Sequence, residues 1–215
     1  LSITKKYTVE SINKHETYDW LLNKHYLKRI PSISYCFGLY SDFLNGIITF
    51  GSSANYHFND GACIFDNYKV YTVELNRLCV DDGLKKNVLS YFVSQSLKRL
   101  PKPCCIFSYA DPNQNHHGYI YQATNWLYTG RSTGKTRYTF EDGSTFDLNR
   151  FDDNKGKIVK KEKMLPTHRY LYFNGSKKQK KQMNKNLKMN IYPYPKGNNQ
   201  RYNASYKPQT QTKLF

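Results

Sequence analysis

Apolar and polar positions alternate in short β-branched runs along most of the chain and shift to a helical period in a few stretches. Lys6 to Val9 predicts a short strand. Ser11 is placed to cap a helix reaching about Lys24, with Tyr18, Leu21 and Leu22 on its apolar side. Residues 33–40 (ISYCFGLY) and 47–50 (IITF) flank Asn45-Gly46 and predict an antiparallel hairpin. Residues 52–68 keep no period and read as a loop or insertion. Residues 69–80 (KVYTVELNRLCV) form the strongest strand pattern, with Glu74, Asn76 and Arg77 in its middle. Leu89, Val93 and Leu97 then recur at i, i+4, i+8, widened by Val88 and Phe92, and predict a helix that Pro101 and Pro103 end. Cys104 to Tyr109 reads as a buried strand, His117 to Ala123 as a short helix and Trp126 to Tyr128 as a strand. Residues 136–140 and 144–148 flank Asp142-Gly143 as a second hairpin. His168 to Phe173 is a last strand, and residues 177–189 (KKQKKQMNKNLKM) are helix-capable.

The resulting order, β-α-β-β-insertion-β-α-β-α-β, predicts a mixed α/β fold, a central sheet flanked by helices with two crossovers of the kind parallel strands need. The strand at 69–80, its helix and the next strand leave a splay point where an anion can meet a helix N-terminus. The expected organisation is one domain, residues 1–174, with the insertion at about 52–68, followed by a basic Tyr/Lys-rich segment, residues 175–215.

At 215 residues and 39% hydrophobic, the chain can bury a full core. No run of 18 apolar residues exists, which excludes a membrane-spanning helix. The opening LSITKKYTVESINK has no apolar stretch of a secretory signal, so the expected compartment is the cytoplasm. Five cysteines without a CxxC, four of them in apolar runs, suit reduced buried thiols, and histidine spacing asks for no metal. Charge changes the picture most. Residues 1–154 carry 17 basic and 15 acidic side chains, whereas residues 155–215 carry 16 basic ones and a single acid, Glu162. A nearly neutral body with a basic end reads as a module that finds a polyanion, nucleic acid before anionic lipid, a solubilising tail being the plain alternative.

Three constellations can carry chemistry. Glu74, Asn76 and Arg77 are costly to bury in a central strand unless paired; a Glu–Arg pair explains them structurally, and a cationic anchor for phosphate or carboxylate explains them functionally. Ser108, Tyr109 and Asp111 stand at the end of an apolar strand, where Asp111 can act as a general base or cap the turn that Pro112 begins. The run from Asn115 to Trp126, with Tyr121, Asn125 and Trp126, suits a flat hydrogen-bonding heterocycle or else a packed aromatic helix. Lys177, Lys178, Lys180, Lys181, Lys185 and Lys196, with Arg169, interleave with tyrosines in a way that suits a nucleic-acid backbone plus base stacking.

Glu74-Leu75-Asn76-Arg77-Leu78, Lys86-Asn87, Ser108-Tyr109-Ala110-Asp111, the stretch Gly118 to Gly130 (GYIYQATNWLYTG), His168-Arg169-Tyr170 and Pro193-Tyr194-Pro195-Lys196 resemble the phage Mom family of DNA adenine-modification proteins, with a GNAT-like acyltransferase fold. The resemblance covers roughly residues 20–196. It implies conversion of adenine's exocyclic amine in DNA to a carbamoylmethyl derivative that protects phage DNA from restriction. Carried onto this chain, it implies catalytic positions at His25, Tyr26, Arg77, Ser108, Tyr109 and Asp111, with Tyr121, Asn125 and Trp126 near the pocket. The partner implied is duplex DNA with the adenine flipped out. Coenzyme-A-using GNAT enzymes carry a glycine-rich loop before the central helix; here Val80 to Asn87 holds one glycine, with Asp81 and Asp82 facing the phosphates. The acyl donor is therefore expected to be acetyl-CoA or glycyl-tRNA, the latter matching the glycinamide skeleton of the product, and tRNA becomes a second polyanionic partner. A silent nucleic-acid-binding module and an acyltransferase acting on a non-DNA amine are the alternatives.

Overall fold

A computed structural model describes residues 2–53, 55–147 and 157–196. The elements in chain order are α1 (Ile3–Lys6), β1 (Thr8–Ser11), β2 (Tyr35–Tyr40), β3 (Leu44–Gly51), α2 (Tyr56–Asn59), β4 (Tyr71–Val80), α3 (Val88–Arg99), β5 (Cys104–Ala110), α4 (Tyr119–Ala123), β6 (Leu127–Arg131), β7 (Thr136–Phe140), β8 (Thr145–Asp147), β9 (Ile158–Lys163), β10 (His168–Asn174) and α5 (Lys177–Lys185). A seven-stranded sheet runs β1-β2-β3-β4-β5-β10-β6, and a three-stranded sheet runs β8-β7-β9. Among the described strands only β4 and β5 pair in parallel, joined by α3 as the crossover. The second helical join, β5-α4-β6, carries the chain past β10, which inserts antiparallel to both strands. The mixed α/β sheet flanked by helices is the architecture that the element order predicts.

Both faces of the sheet are covered. On one, Phe92, Val93 and Leu97 of α3 pack with Ile48, Phe50, Val73, Leu75, Ile106, Trp126 and Tyr170. On the other, Phe58, Ile64 and Phe65 pack with Cys105, Phe107, Leu171, Phe173 and Met183 of α5. The stretch 52–68, expected as a loop, thus supplies much of the second apolar layer. Its spacing hid this because a winding segment buries side chains without a period. Asn55 caps α2 by accepting from the His57 amide, and Asp60 binds the Ala62 amide in the turn that follows.

Two local expectations are corrected. Ser11 belongs to β1, opposite Phe37, and caps nothing. Asn13 caps instead, in a box with Glu16, and the predicted helix is a 3-10 turn (Lys14–Thr17) followed by a π-helical turn (Trp20–Lys24) that ends at His25. Asn45-Gly46 lies inside β3, not at the turn, which falls at residues 41–43. Gly46 is required there by close approach: a Cβ would stand 2.5 Å from Val80 Cγ1.

The decisive local feature is a bulge. Thr49 pairs with Arg77 but Phe50 pairs with Leu75, which leaves Asn76 as the extra residue. Alternation alone would set Glu74 and Arg77 on opposite faces, and one inserted residue restores them to the same face. Asn76 is held by donating to the Ser32 carbonyl at 2.7 Å and accepting from the Thr49 hydroxyl at 2.6 Å.

Candidate active site

β4 and β5 pair only from Tyr71–Cys104 to Glu74–Phe107. Beyond that point β4 stays with β3 as far as Val80, and β5 stays with β10 as far as Ala110. The two strands therefore open a cleft, with Arg77 on one lip and Ser108 to Asp111 on the other. The end of the π-helical turn brings His25 and Tyr26 to Arg77.

Arg77 is 7% exposed. Its Nη1 donates to the neighbouring Asn76 carbonyl, and its Nε is buried with no partner. No carboxylate of the described residues lies within ion-pair distance of it. Burial lowers its pKa, which Tyr26 and Glu74 oppose and Arg29 reinforces. Glu74 is raised above the usual carboxylate range by burial, against the Ser53 hydroxyl and the charges of Arg77, Lys135 and Arg29. The Glu–Arg pair read from the sequence thus acts through space, without a direct contact. A buried guanidinium with an unmet N–H is costly, and it is suited to receive an acceptor from a ligand.

His25 is buried and its ring stacks on Tyr26, centroids 4.5 Å apart. Its Nδ1 accepts from the Leu27 amide at 3.1 Å, so the proton of the neutral ring is on Nε2. Burial, Arg77 and His116 push its pKa down to about 3. His25 at neutral pH is therefore an uncharged N–H donor beside the Arg77 cation.

Ser108 donates to the Leu75 carbonyl at 2.7 Å, and its hydroxyl lies 2.7 Å from the Tyr121 hydroxyl. With the serine proton committed to the carbonyl, Tyr121 donates to Ser108. Burial, first, and then Tyr26, Glu74 and Tyr170 push the Tyr121 phenol well up, against the Ser108 hydrogen bond. Tyr109 is raised in the same direction by burial and Glu74. Both phenols stay protonated, and Ser108 serves as a fixed bridge between the two lips.

Asp111 Oδ1 accepts from the Asn113 amide at 2.9 Å and from Asn113 Nδ2 at 2.7 Å, capping the 3-10 turn Pro112–Gln114. The capping reading is therefore present in the structure. Oδ2 accepts no hydrogen bond from the described residues. The turn carries His116 back toward the cleft, where its ring lies 6.5 Å from Tyr26. Burial lowers His116 and Asp111 opposes the shift. His117 turns away, to His168 at 3.4 Å, which in turn meets the Tyr128 hydroxyl at 2.9 Å. His116, Ser53, Arg29 and Lys135 are the site residues that sequence reasoning missed. His116 stood inside a run already singled out, and only the turn geometry separates it from His117.

Other expected positions lie elsewhere. Trp126 is fully buried in the core between Tyr121 and Tyr172, so its ring faces are already covered. Asn125 is exposed, in the left-handed turn that ends α4. Arg169 binds Thr129, with Nε donating to its hydroxyl and Nη2 to its carbonyl, both at 3.0 Å, which ties β10 to β6. Lys177, Lys178, Lys180, Lys181, Lys185 and Lys196 are exposed.

A donor carrying phosphates would be held at the start of α3, whose first amides have no side-chain cap and whose first turn holds no acid. Lys85 and Lys86 stand beside it. Asp81, expected to repel an anion, is paired with Lys24 at 2.9 Å, and that ammonium also sits over the Trp20 ring. The residues present fit a phosphate-bearing donor better than the loop's sequence suggested. Among the described residues no cluster of three or more His, Cys, Asp or Glu can hold a metal ion. Burial raises Cys79, to about 12, and Cys104, to about 11, so neither thiol is a nucleophile at neutral pH.

A family model described as the Mom protein family matches residues 6–196. No curated protein sequence matches the chain. Among solved structures the chain is similar to Arabidopsis thaliana NAA60 in complex with a bisubstrate analogue, at 12% identity over 79% of this chain and 99% of that one, TM-score 0.46. It is also similar to a Corynebacterium glutamicum histone acetyltransferase HPA2 and related acetyltransferase, at 10% identity over 77% and 95%, TM-score 0.45. A Bacillus cereus acetyltransferase of the GNAT family matches at 12% identity over 79% and 99%, TM-score 0.39. Since the family match runs from before β1 to Lys196, across the sheet, both lips of the cleft and α5, the chain belongs to the Mom protein family.

Proposed function

We propose that this cleft transfers an acyl-derived group of the carbamoylmethyl, or glycinamide, type to the exocyclic amine of adenine in DNA, in the bacterial host cell, protecting phage DNA from restriction. Family membership supports the reading. The observation that carries it is Arg77, a buried cation with an unmet N–H beside a neutral histidine donor, at the open end of a splayed strand pair. Such a pair is shaped to bind a carbonyl oxygen and hold negative charge developing on it.

The amine of adenine is a weak nucleophile because its lone pair is delocalised into the ring. Asp111 Oδ2 takes its proton as the nitrogen–carbon bond forms, while Arg77 and His25 Nε2–H stabilise the carbonyl oxygen. Tyr121, Ser108 and the Leu75 carbonyl keep the lips in register, and Tyr109 closes the side facing Glu74. The donor, acetyl-CoA or glycyl-tRNA, supplies the activated acyl carbon: as the amine nitrogen bonds to it, the thioester carbon–sulfur or ester carbon–oxygen bond breaks, and the thiol or the tRNA 3′-hydroxyl leaves with the proton taken from the amine. Attack on glycyl-tRNA gives N6-glycyladenine, an isomer of the carbamoylmethyl derivative, which an isomerisation of the glycinamide unit then completes. Reaching a bulky donor requires the adenine to leave the duplex, and Tyr26, half-buried beside Arg77 and stacked on His25, is a side chain of the cleft that can meet it. The α5 lysines and Lys196 add long-range attraction for DNA.

Nucleoside mass spectrometry on plasmid DNA from cells expressing the chain tests this, beside Asp111→Asn, which keeps the cap and removes the base. A new adenosine species with the wild type and none with the variant, at unchanged DNA affinity, is expected. Modification that persists at the wild-type level in Asp111→Asn removes Asp111 as the base.

A further inference from the structure

The sheet register divides the basic surface into two ends. At the cleft end, His168 of β10 pairs with Ala110 of β5 and Arg131 of β6. At the other end Asn174 pairs with Cys104. The seven residues of β10 separate these ends by roughly 20 Å. α5 starts three residues beyond Asn174, so Lys177 and Lys178 leave from the end opposite Asp111. The three-stranded sheet is inserted between β6 and β10 and leaves from the cleft end.

Its root is bonded to the site. Ser132 donates to the Thr167 carbonyl at 2.8 Å and Met164 to the Lys135 carbonyl at 2.9 Å. Asn113, whose amide and side chain both hold Asp111, also exchanges two side-chain hydrogen bonds with the backbone of Leu165, each 3.0 Å. One side chain thus links the base of the small sheet to the carboxylate in the cleft.

Charge is sorted across this sheet. Lys161 lies opposite Tyr138 and Lys163 opposite Thr136, which puts both lysines on one face, exposed and without a carboxylate partner among the described residues. Lys161 sits over the Tyr138 ring at 5.6 Å. Glu162, on the other face of β9, is met by Lys160 at 2.9 Å and Glu141, in the turn after β7, by Lys157 at 3.7 Å, while Asp142 in that turn accepts from the Ser144 amide at 2.8 Å. Arg131 and Lys135, both exposed, continue the positive strip to the cleft mouth.

We infer that the β7–β9 ribbon is a docking wing for duplex DNA, its Lys161/Lys163 face contacting the phosphates that flank the target adenine. The inference rests on the DNA-modifying reading of the cleft. A β-ribbon enters or spans the major groove of B-form DNA, whereas the deep, narrow major groove of A-form RNA excludes it, so duplex DNA and not tRNA is the partner of this surface. The link through Asn113 sets the distance between the gripped backbone and Asp111.

Full-length Lys161→Glu/Lys163→Glu is compared with Lys5→Glu/Lys98→Glu, an equal charge change elsewhere on the surface, by fluorescence anisotropy with a labelled duplex and with a tRNA over a salt series. The wing variant is expected to lose about tenfold or more in duplex affinity, with the slope of log K against log salt shallower by about 1.8, for two lost phosphate contacts. Its thermal midpoint and circular dichroism stay at wild-type values, and the control variant changes the slope little. An unchanged slope in the wing variant, an equal loss in the control, or a loss confined to tRNA overturns the wing. If the wild type has no salt-dependent affinity for duplex DNA, the DNA reading of the cleft fails first. If it binds and modifies DNA and the wing variant does so equally well, only the wing fails.

Discussion

Arg77, proposed to hold the acyl oxygen, is placed at a cost in stability. Its guanidinium is nearly buried, with Nε unmet and no ion-pair partner. A lone buried charge carries a desolvation cost of roughly several kcal/mol that an apolar side chain of similar volume does not. Arg77→Met is therefore expected to raise the urea midpoint, or leave it unchanged, while abolishing adenine modification. A loss of several kcal/mol in the unfolding transition would show that Arg77 is held by structure instead. His25 makes a second prediction at this scale. With its pKa lowered to about 3 from 6.5, the unfolded chain binds the proton first as pH falls. Stability is complete above the unfolded value and is lost between pH 6.5 and about 3, this one group contributing up to about 1.4 kcal/mol per pH unit. His25→Gln keeps a donor and removes the titration, so the stability difference between wild type and variant should shift in the variant's favour as pH falls. Denaturant unfolding at neutral and at acid pH, run side by side, measures it. Parallel pH profiles for the two proteins would reject a neutral buried His25.

At the scale of elements, the bulge in β4 does most to build the site. Asn76 is its extra residue, clamped by the Ser32 carbonyl, and Gly51 lets that carbonyl approach: a Cβ on Gly51 would lie 1.9 Å from Ser32 O and 3.2 Å from Asn76 Nδ2. Gly51→Ala must displace backbone, so a cost of about 1–3 kcal/mol is expected, together with a drop in modification through a shifted bulge. Stability loss without any change in modification by the folded fraction would dissociate the bulge from catalysis. The elements themselves were largely legible in the sequence. β4, α3, β5 and β10 stand where their periods put them, because each buries one face or two against the same core. The π-helical turn before His25 and the apolar layer from Phe58 to Phe65 were not legible, since neither repeats at a regular interval.

At the scale of the molecule, one edge of the large sheet is covered by the chain's own later segment. β6 ends the large sheet, and the chain beyond α5 runs along it: the Tyr192 amide donates to the Tyr128 carbonyl at 2.9 Å and the Tyr194 hydroxyl to the Trp126 carbonyl at 2.7 Å. An uncovered edge strand is a template for pairing with another copy. Tyr192→Ala/Tyr194→Ala should therefore lower the thermal midpoint and promote self-association, read by light scattering; a monodisperse variant of wild-type stability would show that the strap adds nothing there. The basic end of the chain, a single block in the sequence, is divided by the fold between α5 at one end of the sheet and β9 at the other.

By itself the sequence determined most of the strands and helices and their order, two helical crossovers of which only one joins neighbouring parallel strands, and the concentration of positive charge after residue 154; it did not show β9. These follow from local period and composition, which a chain carries wherever it goes. Tertiary structure alone decided that Glu74 and Arg77 share a face, that His116 and not His117 turns to the cleft, that Trp126 is core and Tyr26 is not, and that Asp81 is neutralised by Lys24. Each of these depends on a register, a turn or a partner distant in the chain. Burial and charge state belong to whatever packs against a side chain, and that neighbour is not written beside it.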